Sequence, residues 1–291
     1  MRTLTASIEI RIRMVSSPYP ARILLIAALA LAACGGHRPV THVPPPTPPV
    51  YAEWQQRLAV QNTDAAIYQH ASAECARLYE QCYELARMRL DAGLARPHTL
   101  PPAVIVDVDE TVLDNSPYQV KNALLGRGFS PETWHDWVLM GAARPVPGAL
   151  DFLRHAADRG CAVFYITNRS AEERNATVKN LFELRFPFAD EEHVLCMEGG
   201  ESDKSKRRAR VAATHHVVLL VGDQLRDYDE RFKDRSTNMG RDVAASLGDS
   251  VRERFVLLPN AMYGTWLDAV TGKVDSLKAG RKTLYLQENA Y

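Results

Sequence analysis

Five short apolar runs follow one another from about residue 100 onward, and segments with helical spacing separate them. The runs are rich in Val, Ile and Leu and show little alternation of apolar and polar positions. Near-continuous apolar strands between helices are typical of a parallel sheet with both faces covered. The predicted fold class is therefore α/β, with three layers around a central parallel sheet. The predicted strands are Ala103–Val108, Cys161–Thr167, His193–Met197, His216–Gly222 and Arg254–Pro259.

Helical patterns account for most of the remaining chain from residue 51 onward, and one long insertion stands out among them. About fifty residues, 114–163, separate the first two strands, more than a single crossover helix needs. Within them, Ser130, Pro131 and Glu132 form a helix start that places Trp134 in the first turn. We predict a core domain from about residue 100, and a smaller helical cap built from residues 51–95 and about 114–146.

Polar side chains follow four of the predicted strands at the points where these strands end. Because the carboxyl ends of parallel strands meet at one edge of a sheet, we expect these side chains to lie together and form the ligand site. Four such clusters in register indicate a functional site rather than unrelated capping residues. The clusters are Asp107 with Asp109, Thr167-Asn168-Arg169, Lys204 with Lys206, and Asp223 with Asp227.

These residue types suit phosphoryl chemistry at a metal site. The carboxylates of Asp107, Asp109 and Asp223 could share a hard divalent cation, which would offset the cost of burying them beside an apolar strand. Asp107 could attack phosphorus as a nucleophile, and Asp109 could act as the general acid and base. Thr167 would bind a phosphoryl oxygen, and Lys204 would neutralise the negative charge, with Lys206 as an alternative to Lys204.

The first fifty residues have the pattern of an export signal and a tether. Basic residues precede the apolar run Ile23–Ala33, which is too short to span a bilayer. Translation could start at Met14 instead of Met1. An ordinary signal peptide without lipid attachment is the alternative to the lipoprotein signal described next. The sequence Leu31-Ala32-Ala33-Cys34 resembles a bacterial lipobox, so we predict a lipoprotein signal at 1–33, lipidation at Cys34, a Pro-rich tether at 34–50 and a domain at 51–291.

Charge and cysteine content narrow the classes of partner. The chain has 35 basic and 35 acidic residues and no basic stripe, so we expect no nucleic-acid polymer as a partner. The lipid anchor, rather than surface charge, is the predicted membrane attachment. The spacings of Cys75, Cys82, Cys161 and Cys196 match no zinc motif, and their disulfide status is left open.

Several motifs together resemble the class C bacterial non-specific acid phosphatases of the haloacid dehalogenase superfamily, also called DDDD phosphohydrolases. The resemblance extends from about residue 51 to the end of the chain, and the most specific pair is DVDET followed about 110 residues later by VGDQLRD. One departure is Gln224, where many family members have Asn. The motifs are DVDETVLDNS (107–116), FSPETW (129–134), RPVPGAL (144–150), YITNR (165–169), SDKSKRR (202–208), VGDQLRDY (221–228) and LPNAMYGTW (258–266).

The resemblance implies a fold, a cofactor and residue roles. The fold would be the three-layer haloacid dehalogenase fold with a cap, and one Mg²⁺ per subunit would bind the carboxylates of Asp107 and Asp223 and the backbone carbonyl of Asp109. Asp227 would contact these ligands without binding the cation directly. Asp107 would be the nucleophile and Asp109 the acid and base.

The resemblance also implies a substrate class and a location. Trp134 and Tyr263 would face each other across the pocket mouth and stack on the ring of a substrate such as a nucleoside 5′-monophosphate, with Asn168 also contacting the substrate. Ordinary packing within the cap is the alternative role for both rings. Members of the family are typically exported, often as outer-membrane lipoproteins, which suggests a small phosphomonoester as substrate and the outer membrane as location. A non-catalytic surface lipoprotein that binds or adheres is the alternative function, and the oligomeric state is left open.

Overall fold

The computed structural model describes residues 51–291 of the chain. The predicted signal at 1–33, Cys34 and the tether at 34–50 lie outside the described residues. Among residues 51–291, no helix combines the length and the apolar character needed to cross a bilayer. The four cysteines of this part are free thiols, and Cys161 and Cys196 are buried in strands or next to them.

Two helices open the described part, α1 (Glu53–Ala71) and α2 (Ala73–Leu94). They are separated at Ser72, whose extended backbone ends α1 and whose hydroxyl accepts a hydrogen bond from the Cys75 amide at 3.0 Å. The sequence predicted helix throughout this region, and the break at Ser72 is a standard helix start.

The remaining elements alternate between strands and helices as the apolar pattern predicted. The strands are β1 (Pro102–Val106), β2 (Leu113–Asp114), β3 (Arg144–Pro145), β4 (Ala162–Ser170), β5 (Val194–Met197), β6 (His216–Gly222) and β7 (Phe255–Leu257). The helices are α3 (Ser116–Leu125), α4 (Pro131–Met140), α5 (Ala149–Asp158), α6 (Arg174–Glu183), α7 (Ser205–Ala212), α8 (Leu225–Tyr228), α9 (Arg241–Leu247), α10 (Asp249–Arg254), α11 (Thr265–Thr271) and α12 (Asp275–Asn289).

A five-stranded parallel sheet with the order β5-β4-β1-β6-β7 forms the centre of the fold. The first strand lies in the middle, pairing with β4 on one side and β6 on the other. The predicted α/β class with a central parallel sheet is confirmed. Several boundaries differ from the prediction. The largest differences are that β1 ends at Val106 rather than Val108, β4 continues to Ser170 rather than ending at Thr167, and β7 ends at Leu257 rather than Pro259.

Side chains of successive strand residues enter different layers of the core. Val104 and Val106 pack with α2 and α5 on one face of the sheet, whereas Ile105 packs with Phe164 on the other face, toward α7. A strand that is buried on both faces needs apolar residues at every position, which explains the lack of alternation in the sequence.

The insertion between β1 and β4 contains α3, α4 and the small hairpin of β2 and β3. Ser130 begins α4 as predicted, since its hydroxyl accepts a hydrogen bond from the Thr133 amide at 3.2 Å. Of the two N-terminal helices, α1 contacts α3, whereas α2 packs against α5, β6 and β7. The buried side chains of Tyr83 and Leu90 join α2 to the core of the sheet, so α2 lies outside the cap to which the sequence assigned it.

Candidate active site

The loop after β1 carries the first two candidate residues at the carboxyl edge of the sheet. The Asp107 amide donates to the Val221 carbonyl of β6 at 3.0 Å, which continues the sheet pairing past the end of β1. Beyond Asp109 the chain turns sharply through Glu110, whose φ is 53°. Tyr79 of α2 holds this turn by donating its hydroxyl to the Glu110 carbonyl at 2.9 Å.

Three buried carboxylates meet at this edge. Asp107, Asp223 and Asp227 each place a carboxylate oxygen within 4.8 Å of the others. Lys204 lies among them, with its Nζ 2.5 Å from Asp107 Oδ1 and 2.6 Å from Asp227 Oδ1. The sequence predicted that these four residues would come together, and the structure brings them together.

The charges of this acidic cluster are only partly balanced. Burial raises the pKa of Asp107 well above its usual value, and Asp227 and Asp223 add to this effect against the opposing charge of Lys204. Burial and the neighbouring Asp227 raise the pKa of Asp223 to about 6. Burial would lower the pKa of Lys204, but the carboxylates of Asp107 and Asp227 outweigh it and leave that pKa above its usual value. Three carboxylates and one ammonium therefore leave negative charge for which a cation would compensate.

The donor set suits a hard divalent cation, because carboxylate oxygens are the ligands that Mg²⁺ and Ca²⁺ prefer. The residue pattern also named the carboxylate of Asp109 as a ligand, whereas the family resemblance implied its backbone carbonyl instead. The side chain of Asp109 is not part of the acidic cluster. Its carboxylate is directed toward Arg169 instead, which is compatible with a role for the side chain other than metal binding.

Asp109 is held by donors from two directions. Arg169 donates from Nε at 2.9 Å and from Nη2 at 2.7 Å, and both bonds reach Asp109 Oδ1. Asn115 Nδ2 donates to the same oxygen at 2.9 Å, while the Thr167 hydroxyl lies 3.4 Å from Oδ2. The sequence expected Thr167 to bind phosphate, but its buried hydroxyl here faces Asp109 and the Arg169 amide. Oδ2 is thus the less constrained oxygen of Asp109.

The structure distinguishes between the two candidate lysines. Lys204 is buried in the acidic cluster, whereas the side chain of Lys206 is 87% exposed and lies 3.9 Å from Glu201. Asn168 is exposed beside the site, and its Oδ1 accepts a hydrogen bond from Arg207 Nη2 at 2.7 Å. The same arginine also donates from Nη1 to the Thr167 carbonyl.

Asp227 reaches the cluster because the neighbouring backbone leaves room for it. A Cβ at Gly222 would lie 2.3 Å from Asp227 Oδ2, so any other residue there would displace this carboxylate. Oδ2 also accepts a hydrogen bond from the Gln224 amide at 3.0 Å. Asp227, the third residue of the short helix α8, therefore directs its carboxylate back into the site.

A cavity of about 460 Å³ opens beside the acidic cluster. Part of its lining is charged and belongs to the cluster, and part is aromatic or apolar and comes from α1, α4 and the segment after β7. Asp109 and Asn168 also line it. The aromatic and apolar lining includes Trp54, Leu58, Phe129, Trp134 and Tyr263.

Trp134 and Tyr263 line the same cavity, although their predicted stacking on a substrate ring stays a prediction. Trp134 is packed edge-on against Tyr118, with ring centroids 5.3 Å apart, and the guanidinium of Arg169 lies 5.8 Å from its ring centroid. Trp134 therefore belongs partly to the packing of the cap and partly to the cavity. Tyr263 is half-buried, and Asn260 and Gln224 hold its backbone.

Several polar residues of the site had no role in the sequence analysis. Asn115 links Asp109 to the insertion, since its Oδ1 accepts a hydrogen bond from Trp137 Nε1 at 2.8 Å. Asn260 donates to Asp223 Oδ2 at 2.7 Å. Each lies within a motif quoted above, in DVDETVLDNS and LPNAMYGTW, but the motif alone does not say which atom its side chain contacts.

The chain matches a known family over most of its length. The model of the family described as HAD superfamily, subfamily IIIB (acid phosphatase), matches residues 49–266. The structure of the class C acid phosphatase from Bacillus anthracis is similar, with a TM-score of 0.73 and 34% sequence identity over 81% of this chain and 98% of that one. A second structure of that enzyme, with tungstate bound, matches with the same values.

A curated relative from a plant is similar as well. Acid phosphatase 1 of Solanum lycopersicum is 30% identical over 167 residues, or 55% of this chain. The match spans 57% of the length of that relative. Together with the fold and the acidic cluster, these similarities show that the chain belongs to the acid phosphatases of subfamily IIIB in the haloacid dehalogenase superfamily, the group that includes the class C enzymes.

Proposed function

We propose that this protein is a metal-dependent acid phosphatase that hydrolyses phosphomonoesters through an aspartyl-phosphate on Asp107. The observation that supports this most directly is the position of Asp107, which lines the cavity with Lys204 at one oxygen and the carboxylates of Asp223 and Asp227 beside it. The similarity to a class C acid phosphatase that binds tungstate, a tetrahedral oxyanion, supports a phosphate-sized anion at the same place.

In the first step, an oxygen of Asp107 attacks phosphorus and the bond between phosphorus and the ester oxygen breaks. The electron pair leaves with the alkoxide, which takes a proton from Asp109. Oδ2 is the oxygen of Asp109 that would carry this proton, because Oδ1 already accepts three N–H groups from Arg169 and Asn115. Lys204 stabilises the negative charge on the phosphoryl group and on Asp107.

In the second step, Asp109 takes a proton from a water molecule, which attacks the phosphorus of the aspartyl-phosphate. The acyl–phosphate bond breaks, and Asp107 and inorganic phosphate are released. The carboxylates of Asp107 and Asp223 and the carbonyl of Asp109 would hold Mg²⁺, with Asp227 behind them. When bound, this cation supplies positive charge that balances the phosphate oxygens.

Substitution of the nucleophile tests this function. Asp107→Asn preserves the size of the side chain but cannot attack phosphorus, so we expect turnover of an aryl phosphate to disappear while the protein stays folded. Asp109→Asn should reduce turnover about 10²-fold or more. Asp158→Asn, at an exposed position on α5, is the matched control and should retain full activity. Near wild-type activity in Asp107→Asn would contradict the proposed nucleophile, whereas absence of turnover in the wild-type protein would favour the non-catalytic alternative.

Removal of the metal tests the cofactor separately. A chelator should abolish turnover, and added Mg²⁺ should restore it. Turnover that is insensitive to the chelator would contradict the metal requirement while leaving the nucleophile untouched.

We extend the proposal to the location of the protein. The predicted signal at 1–33, the lipobox ending at Cys34 and the Pro-rich tether at 34–50 support export and lipid anchoring of the domain at 51–291, with the outer membrane as address. Cys34→Ser should convert an acylated form that partitions into detergent into an uncleaved or soluble form. Unchanged detergent partitioning of this variant would contradict lipidation at Cys34.

A further inference from the structure

Two side-chain amides converge on one oxygen of Asp223. Gln224 Nε2 donates to Asp223 Oδ2 at 2.8 Å, and Asn260 Nδ2 donates to the same oxygen at 2.7 Å. The two donors come from different segments, one after β6 and one after β7. A carboxylate oxygen that accepts two N–H groups has its lone pairs in use. The orientation of Asp223 is therefore fixed, and its other oxygen, Oδ1, is left for a cation.

The same two side chains, Gln224 and Asn260, also hold the backbone of the segment that carries Tyr263. Asn260 Oδ1 accepts hydrogen bonds from the amides of Met262 at 2.9 Å and Tyr263 at 3.3 Å. Gln224 Nε2 also lies 3.3 Å from the Tyr263 carbonyl, and Gln224 Oε1 accepts from the Thr265 amide at 3.2 Å. This short segment, residues 260–265, is thus attached at four backbone groups to the side chains that orient the acidic cluster.

The length of the Gln224 side chain matters for this arrangement. Gly264, whose φ is 145°, leaves the space into which the Gln224 amide fits, and a Cβ there would lie 2.2 Å from Gln224 Oε1. An Asn is shorter by one methylene group, so we expect it to reach either the carboxylate beside it or segment 260–265, but not both.

We propose that Gln224 and Asn260 are positioning residues that couple the cation site to the aromatic lining of the cavity. The same two side-chain amides orient Asp223 for the cation and, through separate hydrogen bonds, hold the backbone of Tyr263 in place. Occupation of one site should therefore favour the other. This inference rests on the proposed function, because it assumes that Mg²⁺ binds at Asp223 and that an aromatic ring binds beside Tyr263.

Linkage makes the coupling measurable without turnover, because two coupled ligands change the affinity of each other by the same factor. Adenosine carries the ring but no phosphate, so it reports on the aromatic lining alone. We expect titration calorimetry of the metal-depleted protein to give a Mg²⁺ dissociation constant that falls about fivefold or more when adenosine is saturating. An unchanged Mg²⁺ dissociation constant in the wild-type protein would overturn the coupling.

Variants connect this coupling to the two amides. Gln224→Met keeps the length of the side chain but has no amide, so the effect of adenosine on Mg²⁺ binding should disappear and Mg²⁺ binding should weaken. Gln224→Asn should retain one of the two functions and lose most of the coupling. Gln287→Met, at an exposed position on α12, is the matched control and should behave as wild type. Full coupling in Gln224→Met would overturn the role of Gln224.

Two further measurements separate a positioning role from a general loss of structure. Tyr263→Ala removes the ring but neither of the donors to Asp223, so Mg²⁺ binding alone should stay unchanged while the effect of adenosine on it weakens. In Gln224→Met, KM for a nucleoside monophosphate should rise more than KM for glycerol phosphate, with kcat retained at saturating Mg²⁺. Equal changes for both substrates would overturn the coupling. Loss of all turnover in Asp107→Asn, together with metal dependence, would still support the proposed function in that case.

Discussion

Arg169 donates two hydrogen bonds to a single oxygen of Asp109, from Nε at 2.9 Å and from Nη2 at 2.7 Å. The side chain of Arg169 is 1% exposed and that of Asp109 is 16% exposed. The third guanidinium nitrogen, Nη1, donates to Thr177 Oγ1 at 3.2 Å on α6. Arg169 thus fixes the general acid and base of the proposed reaction to the body of the protein.

We expect Arg169→Ala to destabilise the protein and to reduce turnover. Removing one partner of a buried ion pair leaves the other charge without compensation, which costs about 3–5 kcal/mol. Urea unfolding checks the stability, and turnover of an aryl phosphate checks the activity. Arg57→Ala removes an exposed pair with Glu53 on α1 and should change the free energy of unfolding by about 1 kcal/mol or less. Equal effects of the two substitutions would contradict this role of Arg169.

The two lysines after β5 provide a matched pair. Lys204 contacts Asp107 and Asp227, whereas Lys206 is exposed beside Glu201. We expect Lys204→Met to lower kcat about 10²-fold or more, as when a preorganised electrostatic donor is removed. Lys206→Met should leave kcat and KM unchanged. The opposite ranking in steady-state kinetics would assign the site to Lys206.

The acidic cluster should make the stability of the metal-depleted protein depend on pH. The pKa of Asp223 is raised from 3.8 to about 6 in the folded state, so the folded state binds the proton more tightly than the unfolded state does. The stabilisation is fully present below about pH 4 and is lost as the pH rises through about 6.

Urea unfolding at several pH values, compared between wild type and Asp223→Asn, isolates this contribution. The difference between the two proteins should change across the interval from about pH 4 to about pH 6 and be constant above it. Added Mg²⁺ should stabilise the wild type more at the upper end of this interval, because it binds the ionised carboxylates. A difference that does not depend on pH would contradict the raised pKa of Asp223.

The sequence predicted the sheet and the residues at its edge for a simple physical reason. A parallel sheet brings all strand ends with the same direction to one edge, so polar residues after each apolar run meet there. Asp107 and Asp223 follow adjacent strands in the observed order, β1 and β6. The order of the strands did not have to be known for this prediction.

The direction of individual side chains was harder to predict, because it depends on where each element ends. The sequence ended the second predicted strand at Thr167, but β4 continues to Ser170. In an extended strand alternate residues share a face, so Arg169 is buried on the same side as Thr167 while Asn168 is exposed. Similarly, Lys204 precedes α7, whereas Lys206 lies in its first turn. Because the start of a helix can be predicted only to within one or two residues, the sequence did not decide which of the two lysines faces the site.

The role of α2 illustrates a second limit. Tyr79 and Tyr83 lie one helical turn apart, and both direct a buried hydroxyl to the loop after β1, at the carbonyls of Glu110 and Thr111. The pattern of such a helix shows that one face is buried, but it does not show which surface of the protein that face covers. The long-range contact to the loop after β1 therefore became visible only in the structure.

The last prediction concerns substrate preference. Trp134 and Tyr263 line the cavity that Asp107 also lines. Stacking of a base on an aromatic side chain contributes about 1–3 kcal/mol and depends little on which base is present. We therefore expect aromatic monoesters, such as nucleoside 5′-monophosphates including nicotinamide mononucleotide, to be better substrates than glycerol phosphate. A panel of substrates at saturating Mg²⁺ measures this preference as kcat/KM.

Substitution of each ring separates stacking from packing within the cap. Tyr263→Ala should lower kcat/KM about tenfold for AMP while changing kcat/KM for glycerol phosphate and inhibition by inorganic phosphate little. Trp134→Ala should show the same selectivity together with a loss of stability, because Trp134 also packs against Tyr118 and lies near Arg169. If both rings only fill the cap, each variant should unfold at a lower temperature and lose activity equally on AMP and glycerol phosphate. That result would exclude stacking as the source of the preference.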